Sequence, residues 1–62
     1  MKSLLVLHRA SDNEKVVVNL NSVKYFVRET GFTRFFFQDG TTVDFVEHID
    51  NIIEVLADNN DF

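Results

Sequence analysis

Two histidines, His8 and His48, are the residues with the widest scope for acid–base or metal chemistry. A zinc site built on two imidazoles needs carboxylates to complete it, and Glu47 and Asp50 flank His48. Carboxylates of this kind at the start of a helix more often form a solvated face, so no metal is expected. Cysteine is absent, which removes thiol catalysis, disulfides and iron–sulfur clusters together. Ser3, Ser11 and Ser22 lack the glycine-flanked sharp turn that exposes a nucleophilic hydroxyl. The two glycines, Gly31 and Gly40, are too few to build a phosphate-cradling loop. Catalysis also needs a pocket of about 300 Å³ or more, which is rare in so short a chain. A non-enzymatic protein without cofactors is the expectation.

The next constellation is aromatic and basic. Phe26 and Phe36, with Lys24, Arg28 and Arg34 around them, combine stacking surfaces with cations. That is the chemistry of a single-stranded nucleic-acid platform. Against it stand an isoelectric point near 4.8, where nucleic-acid modules tend to be basic, and the nearby acids Glu29 and Asp44. The charge is also unevenly placed. Residues 46–62 carry Glu47, Asp50, Glu54, Asp58 and Asp61 with no Lys or Arg. All six basic residues lie in the first 45, so the C-terminal segment is a surface of one sign suited to a basic partner.

These side chains need elements to hold them. Residues 3–9, 15–20, 23–28, 33–37 and 41–45 are rich in β-branched and aromatic residues and read as strands, with polar breaks between them. Gln38-Asp39-Gly40 is a hairpin signal. A two-residue loop would place Phe35 opposite Asp44. A three-residue loop with Gly40 in the left-handed position instead pairs Phe35 with Val43 and Arg34 with Asp44. The longer loop is favoured because it keeps apolar residues on one face and opposes unlike charges on the other. From residue 46 the period changes: Val46, Ile49, Ile52, Ile53 and Leu56 recur at helical spacing through residue 58. Asp44 and Glu47 have the spacing of a capping box for this helix. The fold class is therefore α+β, an antiparallel β-meander of four to five strands with one C-terminal helix packed on one face.

Strict alternation puts Val23, Tyr25, Val27, Phe35, Phe37, Val43 and Phe45 on one face, joined by Val16, Val18 and Leu20. Lys24, Phe26, Arg28, Arg34, Phe36 and Val17 fall on the other. The first strand fits either way, since Leu4/Val6 and Leu5/Leu7 are equally apolar. A helix of about 12 residues is roughly 18 Å long and 10 Å wide, while four or five strands span roughly 15–20 Å. One helix thus covers about half of one face, and the opposite face is left open. Three arrangements resolve this: a homo-oligomer, in its simplest form a dimer; a ligand or different protein partner on the open face; or a sheet coiled enough to fold over itself. The first is the leading expectation. Phe26 and Phe36 would anchor the contact, Val17 and Lys24 would adjoin it, and Arg28 and Arg34 would rim it. Glu47, Asp50, Glu54 and Asp58 form the acidic helix surface.

Length and composition set the outer limits. Sixty-two residues allow a single domain, 1–62, near the lower limit for folding alone. Lacking disulfides and a metal, such a chain has partner association left as its support. The apolar fraction of 45% is ordinary for globular proteins. No apolar run approaches the roughly 18 residues needed to span a bilayer. Leu4–Leu7 is too short for a signal sequence and is followed by His8-Arg9, so a cytoplasmic protein is expected.

Arg9, a polar turn, Val18-Asn19 ahead of an apolar strand, Asp39-Gly40, and Val46-Glu47 before a short helix follow one another in an order that resembles the FlbD-like flagellar and swarming-motility proteins. The resemblance spans nearly the whole chain and implies a small cytoplasmic accessory protein. The chain departs from that pattern in lacking a proline before the aromatic strand, where Thr30-Gly31-Phe32 stands, and in carrying Thr41-Thr42 after the glycine instead of a basic pair. The strand–turn–strand–helix order also resembles part of the longer LytTR-type DNA-binding domain. A small mobile-element accessory or inhibitor protein has the same size and acidic tail. No functional residue carries over from these resemblances.

Overall fold

The computed structural model describes residues 4–58, apart from the side chain of Asp58. Met1, Lys2 and Ser3 and residues 59–62 lie outside it, so the expected start of the first strand at Ser3 falls on an undescribed residue. Five strands and a helix follow in order: β1 (Leu4–His8), β2 (Lys15–Asn19), β3 (Val23–Glu29), β4 (Phe32–Phe37), β5 (Thr42–Phe45) and α1 (Ile49–Asp58). All pairings are antiparallel, and the fold is α+β.

The strands divide into two sheets, β1–β2 and β3–β4–β5. Between β1 and β2, the Arg9 guanidinium holds both oxygens of Asp12 (2.7 and 3.0 Å), and the Arg9 N–H donates to Glu14. Asn13 takes the left-handed conformation there (φ 60°), which asparagine tolerates better than most residues. The break at Asn21-Ser22 is a 3-10 turn, Leu20–Ser22, capped by the Asn19 side chain accepting from the Asn21 N–H. The β4–β5 hairpin has the expected three-residue loop. Phe35 pairs with Val43, Arg34 with Asp44, and Gly40 sits at φ 91°.

The two sheets meet at one point. Arg9 bridges Phe45, the Ala10 N–H donates to the Asp44 carbonyl, and the Val46 N–H donates to the His8 carbonyl. The wrap lets both sheets and the helix share one core. Leu5, Leu7 and Val18 from the first sheet meet Phe35 and Phe45 from the second and Ile52 from α1. The ambiguous first strand thereby resolves: Leu5 and Leu7 point inward, Leu4 and Val6 outward. The inner face that one helix was too small to cover is closed by helix and hairpin together.

The helix starts later than its apolar period implies. Val46 and Ile53 are exposed, and Ile49 is the first helical residue. The capping box does not form, because Asp44 is held in β5 by Arg34 (2.8 and 3.3 Å) and Glu47 turns to His8. His48 caps instead: its carbonyl accepts from Asn51 and Ile52, and its ring Nδ1 accepts from the Asp50 N–H at 3.1 Å.

Candidate functional site

The aromatic platform expected around Phe26 and Phe36 is rearranged by one residue. The β3–β4 register shifts between Val23 and Tyr25, leaving Lys24 as an extra residue in a β-bulge. Beyond a bulge the alternation of faces inverts. Phe26 therefore faces inward and stacks on Phe35 with centroids 4.7 Å apart, while Tyr25 takes the outward position and stacks on Phe36 at 4.6 Å. The expected placement of Tyr25 and Val27 on the inner face is corrected by the same shift.

The cations do not converge on Phe36 either. Arg28 pairs with Thr33, whose side chain is sealed beneath the helix start and donates to the Glu47 carbonyl at 2.8 Å. Arg28 thus shares the parity of Phe26, opposite to Arg34. Arg34 is on the outer face but chelates Asp44, approaches Glu29 at 4.0 Å and lies over the Phe32 ring. Its guanidinium pKa is raised, chiefly by the hydrogen bond it donates to Asp44 and then by that carboxylate's charge. The outer face of the three-stranded sheet carries Tyr25, Val27, Phe36, and an internally neutralised Arg34.

The hairpin sheet presents a different surface. Val6 pairs with Val17, and the side chains of Leu4, Val6 and Val17 are 56%, 51% and 60% exposed. Beside them a groove of about 330 Å³ runs between β1 and α1, lined by Leu4–Leu7, Glu47, Asn51, Ile52 and Val55. Four consecutive strand residues, with side chains on alternate faces, can share one groove only if it lies along the strand's edge. A second groove of about 380 Å³ lies between Ser22, Phe37 and Val43. Pockets of catalytic volume thus occur despite the chain's length; in the second, the Thr41 hydroxyl donates to the Asp39 carboxylate at 2.7 Å within the hairpin loop.

His8 and Glu47 make the closest polar cluster near the first groove. The Glu47 carboxylate accepts from the His8 backbone N–H at 2.8 Å and meets its ring Nδ1 at 2.6 Å. Burial opposes ionisation of Glu47, yet the hydrogen bonds from His8 outweigh it, and the carboxyl pKa lies below its ordinary value. Nothing local in the sequence signals this pair, which is separated by 39 positions. Of the acidic helix surface, Asp50 and Glu54 are exposed on α1, Glu47 precedes the helix, and the Asp58 side chain lies outside the described part. Among the described residues no group of three His, Asp or Glu side chains could hold a metal ion, and no helix is long and apolar enough to cross a membrane. Compared with known proteins, the chain matches no family model, no curated protein and no solved structure.

Proposed function

We propose that the chain is a non-catalytic protein-interaction module that self-associates through the outward faces of its sheets. One observation carries this reading. Among the described residues, seven large apolar residues are exposed against six sealed in the core. Contiguous apolar surface of this kind marks interaction sites. The Leu4–Val6–Val17 strip is its most exposed part, and Tyr25 with Phe36 supplies an aromatic area on the other sheet. A second copy is the simplest cover for the Leu4–Val6–Val17 strip, which carries no charge that a like surface would oppose. The resemblance to FlbD-like proteins supports an accessory role in motility for such a module. The nucleic-acid reading is weaker, because Arg34 is already neutralised and Phe26 faces the core.

Sedimentation equilibrium over roughly a hundredfold dilution tests self-association, since a reversible oligomer dissociates by mass action. The weight-average mass should fall on dilution, and Val17→Lys should leave a folded monomer throughout. A strict monomer at the highest concentration ends this proposal.

A further inference from the structure

The groove beside β1 offers more than apolar surface. In an antiparallel pair, successive residues direct their N–H and C=O groups alternately toward and away from the partner strand. The Arg9 N–H points to Glu14 on the β2 side, whereas His8 donates to Glu47 and accepts from Val46 on the far side. Counting back along β1, Leu7 and Leu5 face β2, and Val6 and Leu4 direct their backbone groups into the groove. β5 pairs with β1 only at Arg9, so among the described residues the edge from Leu4 to Leu7 has no strand beside it. An open strand edge is a template for another strand.

The charge around the groove selects what kind of strand. Its walls contribute Leu4, Val6, Ile52 and Val55 as apolar surface, with Asn51 and Glu47 as polar groups. Asp50 and Glu54 stand exposed on the flanking helix, and residues 46–58 contain no Lys or Arg. A second copy of this chain would bring a second acidic helix to the same place and meet like charge. A cationic strand meets unlike charge along the helix side, from Glu47, Asp50 and Glu54.

We infer that the groove between β1 and α1 is a strand-addition site for an extended peptide segment that alternates apolar and basic residues. Main-chain hydrogen bonds to Val6 and Leu4 supply affinity; the segment's apolar side chains extend the outward Leu4–Val6 strip, and its basic side chains, on the alternate face, lay their stems along Ile52 and Val55 toward the acids of the helix. At about 3.3 Å per residue, the four residues of open edge accommodate a core of about four residues. Val17 lies on the outward face away from this groove, so self-association and strand addition can be separated.

The test uses four capped, fluorescently labelled peptides: alternating valine and lysine, alternating valine and glutamate, and the lysine peptide N-methylated at every second amide in each of the two registers. Fluorescence anisotropy with the whole chain should show the lysine peptide binding at least roughly tenfold tighter than the glutamate peptide, with affinity falling as salt rises. N-methylation of the edge that pairs should abolish binding, and hydrogen exchange at the Val6 amide should slow only when the lysine peptide is bound. Val6→Pro removes the groove-facing N–H without breaking a bond to β2 and should weaken binding at least tenfold in a folded protein. Equal binding of the lysine and glutamate peptides overturns the charge argument. Undiminished binding by both N-methylation registers overturns strand addition without relying on any protein variant. Slow exchange at Val6 without peptide, appearing together with a dimer, assigns the edge to a second copy and overturns the inference. Val17→Lys should dissociate oligomers while leaving peptide binding intact, so failure of self-association and failure of strand addition give different results.

Discussion

Glu47→Ala and Glu47→Gln separate the two things the Glu47 carboxylate does. It accepts from the His8 backbone N–H at 2.8 Å and from the His8 ring at 2.6 Å, tying the end of β1 to the segment that begins the helix. Alanine leaves a partly buried backbone donor without its acceptor, which costs about 1–3 kcal/mol. Glutamine keeps an oxygen for that donor and loses only the charge assistance, roughly half the strength of such a bond, so about 1 kcal/mol is expected. At roughly 0.05–0.15 kcal/mol per residue the whole domain has only about 3–9 kcal/mol of stability. Glu47→Ala should therefore lower the melting temperature by roughly 4–24 °C, given about 4–8 °C per kcal/mol at this size. The pH dependence follows from the depressed carboxyl pKa. The folded chain binds fewer protons at this site than the unfolded chain, so the contribution is complete above the ordinary value of 4.5 and is lost as pH falls through the lower folded value. Urea unfolding of the three proteins at neutral pH and in a series down through that window is the assay. The gap between native and Glu47→Ala proteins should be widest at neutral pH and shrink on acidification. A gap that is absent, or constant across the series, refutes the assignment of Glu47 as a staple.

Four further outcomes follow from the register. Phe26→Ala should destabilise by about 2–3 kcal/mol, toward the low end for a phenylalanine because it is only partly buried, whereas Tyr25→Ala should cost about 1 kcal/mol through the lost ring pair; equal losses in thermal unfolding would place the bulge elsewhere. Phe36→Asp should alter the sedimentation mass more than the far-ultraviolet circular dichroism, and an unfolded variant would mean that Phe36 belongs to the core. Deleting Lys24 removes the extra residue and leaves Val23 opposite Phe37 and Tyr25 opposite Phe36 on unchanged faces, so the shortened chain should still fold, and Lys24→Ala should stay within about 0.5 kcal/mol of the parent; an unfolded deletion would place the bulge elsewhere. Gly40→Ala should cost about 1 kcal/mol in urea unfolding, because alanine is strained at φ 91° although nothing crowds its Cβ.

The elements were legible where local chemistry decides. The β4–β5 register followed from Gly40, which permits a left-handed loop residue, and from the opposition of Arg34 and Asp44 that only one loop length allows. The same logic fails where both faces of a strand are apolar. Leu4–Leu7 reads identically in either parity, and its orientation is settled by Val18 and Val16 across the hairpin. In β3 the run Val23-Lys24-Tyr25-Phe26-Val27 offers an aromatic to each face, so alternation carries no sign of the bulge. The pairing of Val23 with Phe37 and Tyr25 with Phe36 is a property of two strands together. The helix start departs from the apolar period because Asp44 has two competing roles. Asp44 cannot cap α1 while chelating Arg34 in β5, and the ion pair keeps it in the sheet. Of the candidate surface, Val17 and Phe36 were readable from position, while the β1 edge was not, since an open edge is defined by which strand is missing beside it.

The open edge and the helix start have a common origin. β5 runs beside β1 as far as the Arg9–Phe45 bridge, and one more bond, from Val46 to His8, continues that contact. Were β5 to extend further, it would cover Val6 and Leu4. It stops because Glu47 turns its carboxylate onto His8 and His48 immediately caps the helix, so the chain leaves the sheet within three residues. The helix that follows buries Ile52 against Leu5 and Leu7 but stays one groove's width from the β1 backbone. The residues that terminate β5 thus leave the edge unpaired, and the helix they start gives that edge an acidic wall. Loss of Glu47 should therefore do more than destabilise: it should weaken capture of the lysine peptide in a protein that remains folded, while Asp12→Asn, far along the hairpin, should not.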